Sequence, residues 1–574
     1  MTLFSVWAPD KPVTLHLDGR DHAMEPGEGG WWHAEVASEA VDYGFRLPDQ
    51  DRPLPDPRSP WQPDGVHGLS RVYDHAAFGW TDQGWTGRQL PGSVLYELHI
   101  GTFTPQGTFD AAIERLDHLV DLGVDLVELL PVNAFNGTYN WGYDGVCWFA
   151  PHEAYGGPDG LKRFVDAAHS RGLGVVLDVV YNHFGPSGAY APMFAPYLGG
   201  GSNPWGSSVN LGGPGSDEVR RYIVDSVLMW LRDYHIDGLR LDAVHALHDE
   251  GAVHLLEQMA VEVESLSTEL RRPLTLIAES DLNDPRLITP REAGGHGLHA
   301  QWDDDVHHAL HTLLTGERQG YYGDFGSLDC LRTVLEGGFF HAGTWSSFRG
   351  RRHGRPVDRQ RTPGHRFVAF LQNHDQIGNR AAGDRLTATL SPGLLKVAAT
   401  LLLTSPFTPM LFMGEEWAAG SPWQYFTSHP EPDLAAAVRN GRRREFSRHG
   451  WAEDDVPDPQ DPATFERSKL DWSEPGKPGH AEILDLYRRL IALRRSLPGL
   501  TDPWLHQVEV WHGDQHVVIR RGPSVVAVNL AECAQTVSVR ALPKAVLLAT
   551  SPGVIVERDR LVLPPESAAV VSVR

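Results

Sequence analysis

Cysteine is nearly absent from this chain: there are three, Cys147, Cys330 and Cys533, in 574 residues. They lie far apart and share no metal-ligand spacing. So sparse and odd a count argues against a disulfide framework and suits a reducing compartment, so a cytoplasmic location is expected. No apolar run is long enough to span a bilayer. The stretch Met1 to Asp10 has neither a basic region nor a long apolar segment, and reads as the first strand of a domain, not a signal peptide. Positive charge is also in short supply. Lys and Arg number 50 against 74 Asp and Glu, a formal net charge of −24. A surface so acidic repels phosphate backbones and anionic lipid, which leaves nucleic acid and membrane without support as partners. Internal repeats and low-complexity tails are absent.

What is present is a long chain of ordinary globular composition, 41% hydrophobic and 22% charged. Its length exceeds one core, so two to four domains are expected. Aromatics are plentiful, with 18 Trp, 15 Tyr and 21 Phe. Most belong in cores, but sugar rings stack on aromatic faces, and some of these suit a carbohydrate groove. Residues 1–88 alternate short apolar stretches with Gly and Pro, among them Leu3 to Trp7, Val13 to Leu17 and Trp31 to Val36, which predicts an N-terminal β-sandwich, immunoglobulin-like. Residues 499–574 return to the same pattern and predict a C-terminal antiparallel β domain.

Between them, over 89–498, strand-like runs alternate with helix-like segments. Strands are predicted at Ser93 to Ile100, Leu126 to Val132, Val175 to Tyr181, Gly238 to Val244, Thr275 to Ser280, His299 to Val306, Phe367 to Asp375 and Pro409 to Glu415. The intervening helices include Thr108 to Gly123, with Ile113, Leu116 and Val120 on one face, and Asp217 to His235, opened by Ser216 as N-cap. Eight strand-then-helix units in series predict a multidomain protein around a central (β/α)8 TIM barrel. Two loops are long, Asn182 to Gly215 and Gly316 to Gly364, and are read as cleft walls.

Three carboxylates close buried runs of this barrel: Asp242 after Gly238-Leu239-Arg240-Leu241, Glu279 after Leu276-Ile277-Ala278, and Asp375 after Phe370-Leu371-Gln372-Asn373-His374. Barrel enzymes place reacting groups at the C-terminal ends of their strands. Glycosidic-bond cleavage needs an acid on the leaving oxygen and a carboxylate opposite, around an oxocarbenium-like transition state. Arg240 and Asp242, two apart, point to the same side, and a fixed guanidinium favours the ionised carboxylate that a nucleophile requires. Burial of Glu279 favours the protonated form that an acid requires. His374 and Asp375 are placed to grip sugar hydroxyls. Singly, each of these has an ordinary reading as a cap, an ion-pair partner or a core histidine, and it is their conjunction that points to a site.

Four stretches, Asp178 to His183, Gly238 to His245, Ile277 to Ser280 and Phe370 to Asp375, resemble the short motifs of the α-amylase superfamily of glycoside hydrolases, in order and on matching strands. The resemblance implies Asp242 as nucleophile, Glu279 as acid/base, Asp375 as transition-state stabiliser, and Arg240, His183 and His374 as sugar ligands, with retention of anomeric configuration. Tyr143 matches the tyrosine that stacks under the sugar. His245 and Gln376, in the same motifs, join the substrate-binding candidates. The stretch Leu95 to Thr104 is similar to trehalose-forming and branching members. With Trp141 to Gly160, Ala278 to Asn283 and Asn373 to Arg380, it resembles the maltooligosyltrehalose trehalohydrolase family. That implies maltooligosyltrehalose as substrate, release of trehalose by cleavage of the adjoining α-1,4 bond, and functional coupling to a maltooligosyltrehalose synthase. Asp304 and Asp305, in Gln301 to His307, either hold trehalose hydroxyls or are the acid-rich start of a helix. No cofactor is implied. No metal is expected, because the inserted domain that completes the calcium site of many amylases beside an Asn like Asn182 is here only a loop. The alternatives are a glycogen branching enzyme on the same scaffold and a glucan-binding protein without chemistry.

Overall fold

The computed structural model describes residues 1–37, 41–447 and 456–574. Thr2–Trp7, Glu25–Pro26 and Trp31–Val36 form one antiparallel sheet, and Thr14–Leu17, Arg20–Ala23, Asp42–Arg46 and Ser70–Arg71 a second. Alternation turns Phe4 and Val6 of the first sheet and Leu15, Leu17, Tyr43 and Phe45 of the second into one core. The Phe4 and Tyr43 rings meet at 4.9 Å between the sheets. The first strand thus falls where the sequence placed it.

The barrel closes on eight parallel strands: Leu95–Leu98, Leu126–Leu129, Gly174–Val179, Gly238–Leu241, Thr275–Ala278, Ala300–Trp302, Phe367–Phe370 and Thr408–Phe412. They are called strands one to eight below. Every residue of these strands is buried, because helices cover the outside and side chains fill the inside. The period of two decides what fills it. Leu95, Leu126, Val176, Ile277, Ala300 and Val368 share one apolar interior cluster. Two positions further along the first four strands come Glu97, Glu128, Asp178 and Arg240, with Trp302 and Phe370 two positions on from Ala300 and Val368. The charged groups therefore form a layer above an apolar floor, at the end where the strands stop. Strand pairing keeps them level: Glu97 lies opposite Glu128, and Asp178 opposite Arg240.

Several local features differ from the sequence reading. The segment Thr108 to Gly123 is two helices, Phe109–Ile113 and Leu116–Leu122, broken at Arg115. The break resets the helical phase, so Leu116, Leu119 and Leu122 are buried while Val120 faces water. Ser216 is the first residue of the helix Ser216–Asp233 and makes no cap; its cap position is Gly215, at φ 79°. Strand six stops at Trp302 and Asp303 caps the helix Asp304–Thr315. Strand seven stops at Phe370, and Asp375 sits on a one-turn helix, His374–Gly378, capped by the Asn373 side chain. Both long loops carry structure of their own. The first holds a hairpin, Leu198–Asn203 with Gly206–Val209, and the second a helix, Leu328–Gly337, and a hairpin, Thr344–Ser346 with Arg351–His353.

After the closing helix His480–Ser496, a five-stranded and a three-stranded antiparallel sheet enclose Val518, Val525, Ala527, Leu561 and Val571. Arg521 fastens this unit to the barrel. Its buried guanidinium donates to the carbonyls of Thr404 (3.2 Å), Ser405 (2.7 Å) and Leu500 (2.9 Å), the first two at the C-terminus of the helix Pro392–Leu403. Among the described residues no helix is long and apolar enough to cross a membrane.

Candidate active site

One cleft of about 710 Å³ opens at the C-terminal ends of the strands. It is lined by Asp242, Glu279 and Asp375, and by Tyr143, His183, His245, Asp304 and Gln376. Arg240 and His374 stand buried beneath it.

Arg240 organises the floor. Its Nη1 donates to Asp178 Oδ1 (3.0 Å) and Oδ2 (2.9 Å) and to Asp242 Oδ1 (2.7 Å). Its Nη2 lies 3.7 Å from Glu279 Oε2. The guanidinium stacks 4.3 Å from the centre of the Trp302 ring. The other oxygen of Asp242 accepts from Asn182 Nδ2 at 2.7 Å, so both carboxylate oxygens are held. Glu279 Oε2 accepts the backbone N–H of Ala243 at 2.7 Å. Ala243 follows Asp242 at φ 40°, a left-handed conformation that a non-glycine residue holds only when its surroundings impose it.

Burial pushes the Glu279 carboxyl up to about 8; Arg240 opposes this, while Asp242, Asp304 and Asp375 add to it. Asp304 is pushed up to about 7, by burial first and then by Asp375 and Asp281. Two neighbouring carboxyl groups are thus neutral or near their titration point at pH 7.

A second chain of contacts runs through His374. Its Nδ1 meets Glu97 Oε1 at 2.5 Å, and its backbone N–H donates to Glu97 Oε2 at 3.0 Å. Its Nε2 meets Tyr143 Oη at 2.7 Å, and that hydroxyl donates to Asp178 Oδ2 at 2.5 Å. Burial alone lowers the pKa of His374, but the charges of Asp375 and Glu97 and the bond to Glu97 outweigh it and raise it to about 9. An imidazolium therefore lies 3.4 Å from Asp375 Oδ2, with both ring N–H groups engaged.

The structure gathers ten of the eleven residues singled out from the sequence in or directly under the cleft. Asp305 is the exception. Its Oδ2 accepts from Asn283 Nδ2 (2.9 Å) and from the backbone N–H groups of Phe340 and His341 (both 2.8 Å), so it ties down the loop after strand six. Neighbouring helix positions point about 100° apart, and Asp304 faces the cleft while Asp305 faces the protein. Both acids belong to the first turn of the helix Asp304–Thr315, and of the two Asp304 lines the cleft. His183 places Nδ1 2.5 Å from Asn182 Oδ1 and donates Nε2 to the Tyr143 carbonyl (3.0 Å). Asn182 is engaged by Asp242 and His183. Among the described residues no group of three or more His, Cys, Asp or Glu side chains is placed to hold a metal ion. Cys147 is buried away from the cleft, and burial raises its thiol to about 12.

Residues the sequence reading did not place include Glu97 and Glu128. Burial, then the charges of Glu97 and Asp178, drive the Glu128 carboxyl far up, and its oxygens meet no hydrogen-bond donor among the described residues. A single charge inside each of two apolar runs, Leu95 to Leu98 and Leu126 to Leu129, was the available signal. Trp205, on the first hairpin, stands between His183 (6.1 Å) and His245 (6.2 Å). Arg349 bonds Asp281 at 2.8 Å across the cleft rim, and Arg442 reaches in from the helix Pro432–Ser447.

Residues 73–192 match the family of the alpha amylase catalytic domain, and 503–570 match a domain of unknown function. The malto-oligosyltrehalose trehalohydrolase of Rhizobium sp. (strain M-11) is 57% identical over 99% of this chain and 97% of its own. That of Arthrobacter ramosus is 59% identical over 92% of each chain. The crystal structure of a putative alpha amylase from Salmonella typhimurium superposes with a TM-score of 0.90 at 39% identity, covering 100% of this chain and 97% of that one.

Proposed function

The chain belongs to the malto-oligosyltrehalose trehalohydrolase family within the α-amylase superfamily, and from that membership we propose that it hydrolyses the α-1,4-glucosidic bond next to the terminal trehalose of maltooligosyltrehalose, releasing trehalose and a maltooligosaccharide. It is a glycosidase. The observation that carries the chemistry is one guanidinium, Arg240, buried under the cleft between Asp242 and Glu279.

In this reading Glu279, protonated at neutral pH, gives its proton to the glycosidic oxygen as the bond to C1 breaks. Asp242, its oxygens held by Arg240 and Asn182, attacks C1 and forms a glycosyl ester. Water then enters, gives a proton to Glu279 and attacks C1 from the leaving-group side. Two inversions retain the anomeric configuration. Asp375 offsets positive charge on the ring in each transition state. Tyr143, locked between His374 and Asp178, presents its ring under the sugar. His183, His245, Asp304 and Gln376 hold hydroxyls, with Asp304 on the leaving side. The reaction needs no cofactor or metal, because carboxyl groups supply both proton and nucleophile. Residues 89–498 form the catalytic unit, flanked by 1–88 and 499–574. The enzyme works in the cytoplasm on the product of a maltooligosyltrehalose synthase.

The test is incubation of the purified protein with maltotriosyltrehalose and chromatography of the products. Trehalose and maltotriose are expected. Intact substrate, with new α-1,6 branches made from amylose, would assign the chain to glucan transfer instead. Binding of glucan with neither reaction would leave it a binding protein.

A further inference from the structure

The proposed reaction leaves one wall of the cleft unused. Glu279, the proton donor to the leaving group, follows strand five, so the trehalose side lies over that part of the mouth. Opposite strand five in the closed barrel stand strands eight, one and two. The rest of the glucan chain must leave the reacting sugar across them. The cleft wall there is built from Trp141 and Asp144 after strand two, Asn379 after strand seven, and Tyr425, Arg442 and Glu445 after strand eight.

Arg442 is prepared for a ligand. Its side chain is only 9% exposed, in a basic run, Arg442-Arg443-Arg444, that passes from half-buried at Arg443 to exposed at Arg444. Nη2 donates to the Gly378 carbonyl, and Nη1 lies 3.3 Å from Asn379 Oδ1 and 3.5 Å from Glu445 Oε2. The guanidinium lies 5.2 Å from the Tyr425 ring centre and 4.5 Å from that of Phe446. Tyr425 meets the Trp141 ring edge-on at 5.1 Å, and Trp141 Nε1 donates to the Gln424 carbonyl at 3.0 Å. The wall is thus continuous with the loop that carries Tyr143. A planar fork of donors beside a carboxylate acceptor and an aromatic face is the set that binds vicinal sugar hydroxyls and a ring. Holding the arginine in place beforehand removes most of the ordering cost of binding.

We infer that Arg442 and Glu445, with Tyr425 beneath, form a binding subsite for the second glucose unit on the glycone side of the scissile bond. The inference rests on the proposed trehalose-releasing activity. It is tested with two substrates that differ by that unit, glucosyltrehalose and maltosyltrehalose. In the unmutated enzyme kcat/KM is higher for maltosyltrehalose. In Arg442→Ala the ratio of the two kcat/KM values falls roughly ten- to hundredfold, the worth of a charge-assisted hydrogen bond to sugar. Glu445→Gln, milder and on an exposed position, lowers the same ratio by a smaller factor. A ratio unchanged in both variants, or a ratio of one in the unmutated enzyme, would overturn the subsite. Trehalose from neither substrate would overturn the activity instead.

Discussion

The Glu279→Gln variant tests the core of the mechanism. The carboxyl is raised from 4.5 to about 8, a shift worth about 5 kcal/mol against the ionised form. At pH 7 the protonated form then predominates. The sign for activity follows directly. The acid is present below its pKa and lost above it, so kcat/KM holds to about pH 7.5 and falls tenfold per pH unit above about 8. Glutamine preserves the shape and the contact with Ala243 but cannot donate a proton to the leaving oxygen. Cleavage of maltotriosyltrehalose should drop at least 10²- to 10⁴-fold, roughly the worth of general acid catalysis, and the basic limb should vanish. With α-maltosyl fluoride the leaving group needs no proton. The variant should then release about one equivalent of fluoride in a burst and stall, because no base activates water against the ester on Asp242. Quenched-flow fluoride release and intact-protein mass spectrometry read both results. A basic limb that persists in Glu279→Gln would refute the assignment and point to Asp304, whose carboxyl lies at about 7.

Tyr143→Phe deletes a hydroxyl that serves both His374 Nε2 and Asp178 Oδ2, leaving two buried charged groups short of a partner at about 1–3 kcal/mol each. A lowered melting midpoint and a reduced kcat are expected; a wild-type midpoint by calorimetry would show that the network carries no such load. Gly378→Ala would put a methyl group 1.9 Å from Trp141 Cη2 in the buried cleft wall. Displacing that indole should cost about 1–3 kcal/mol and raise KM, and unchanged stability together with unchanged KM would show that the wall yields freely.

Much of this protein was legible in its residues because buried parallel strands leave a simple trace. Eight short apolar runs separated by helical periodicity announced the barrel, and Asp242 and Glu279 follow their strands directly, so their place at the mouth needed no knowledge of packing. Asp375 was found by the same rule although its strand ends five residues earlier, because the turn to the helix His374–Gly378 returns it to the rim. Glu97 and Glu128 were within reach of the same period of two, as single charges on the inward rows of strands one and two. The two long loops, 182–215 and 316–364, were legible as cleft walls, and both line the cleft; what the chain alone could not decide is which of their residues, and which residues after strand eight, reach the mouth. Trp205, Arg349 and Arg442 lie 93 to 237 residues apart in the chain, and nothing in their local pattern separates them from solvated surface. Asp304 and Asp305 are adjacent acids in one run, and only the rotation of the helix Asp304–Thr315 against its neighbours sends one into the cleft and the other into the protein. Strand identity and strand ends follow from local hydrophobic periodicity, whereas a cleft wall is set by long-range packing.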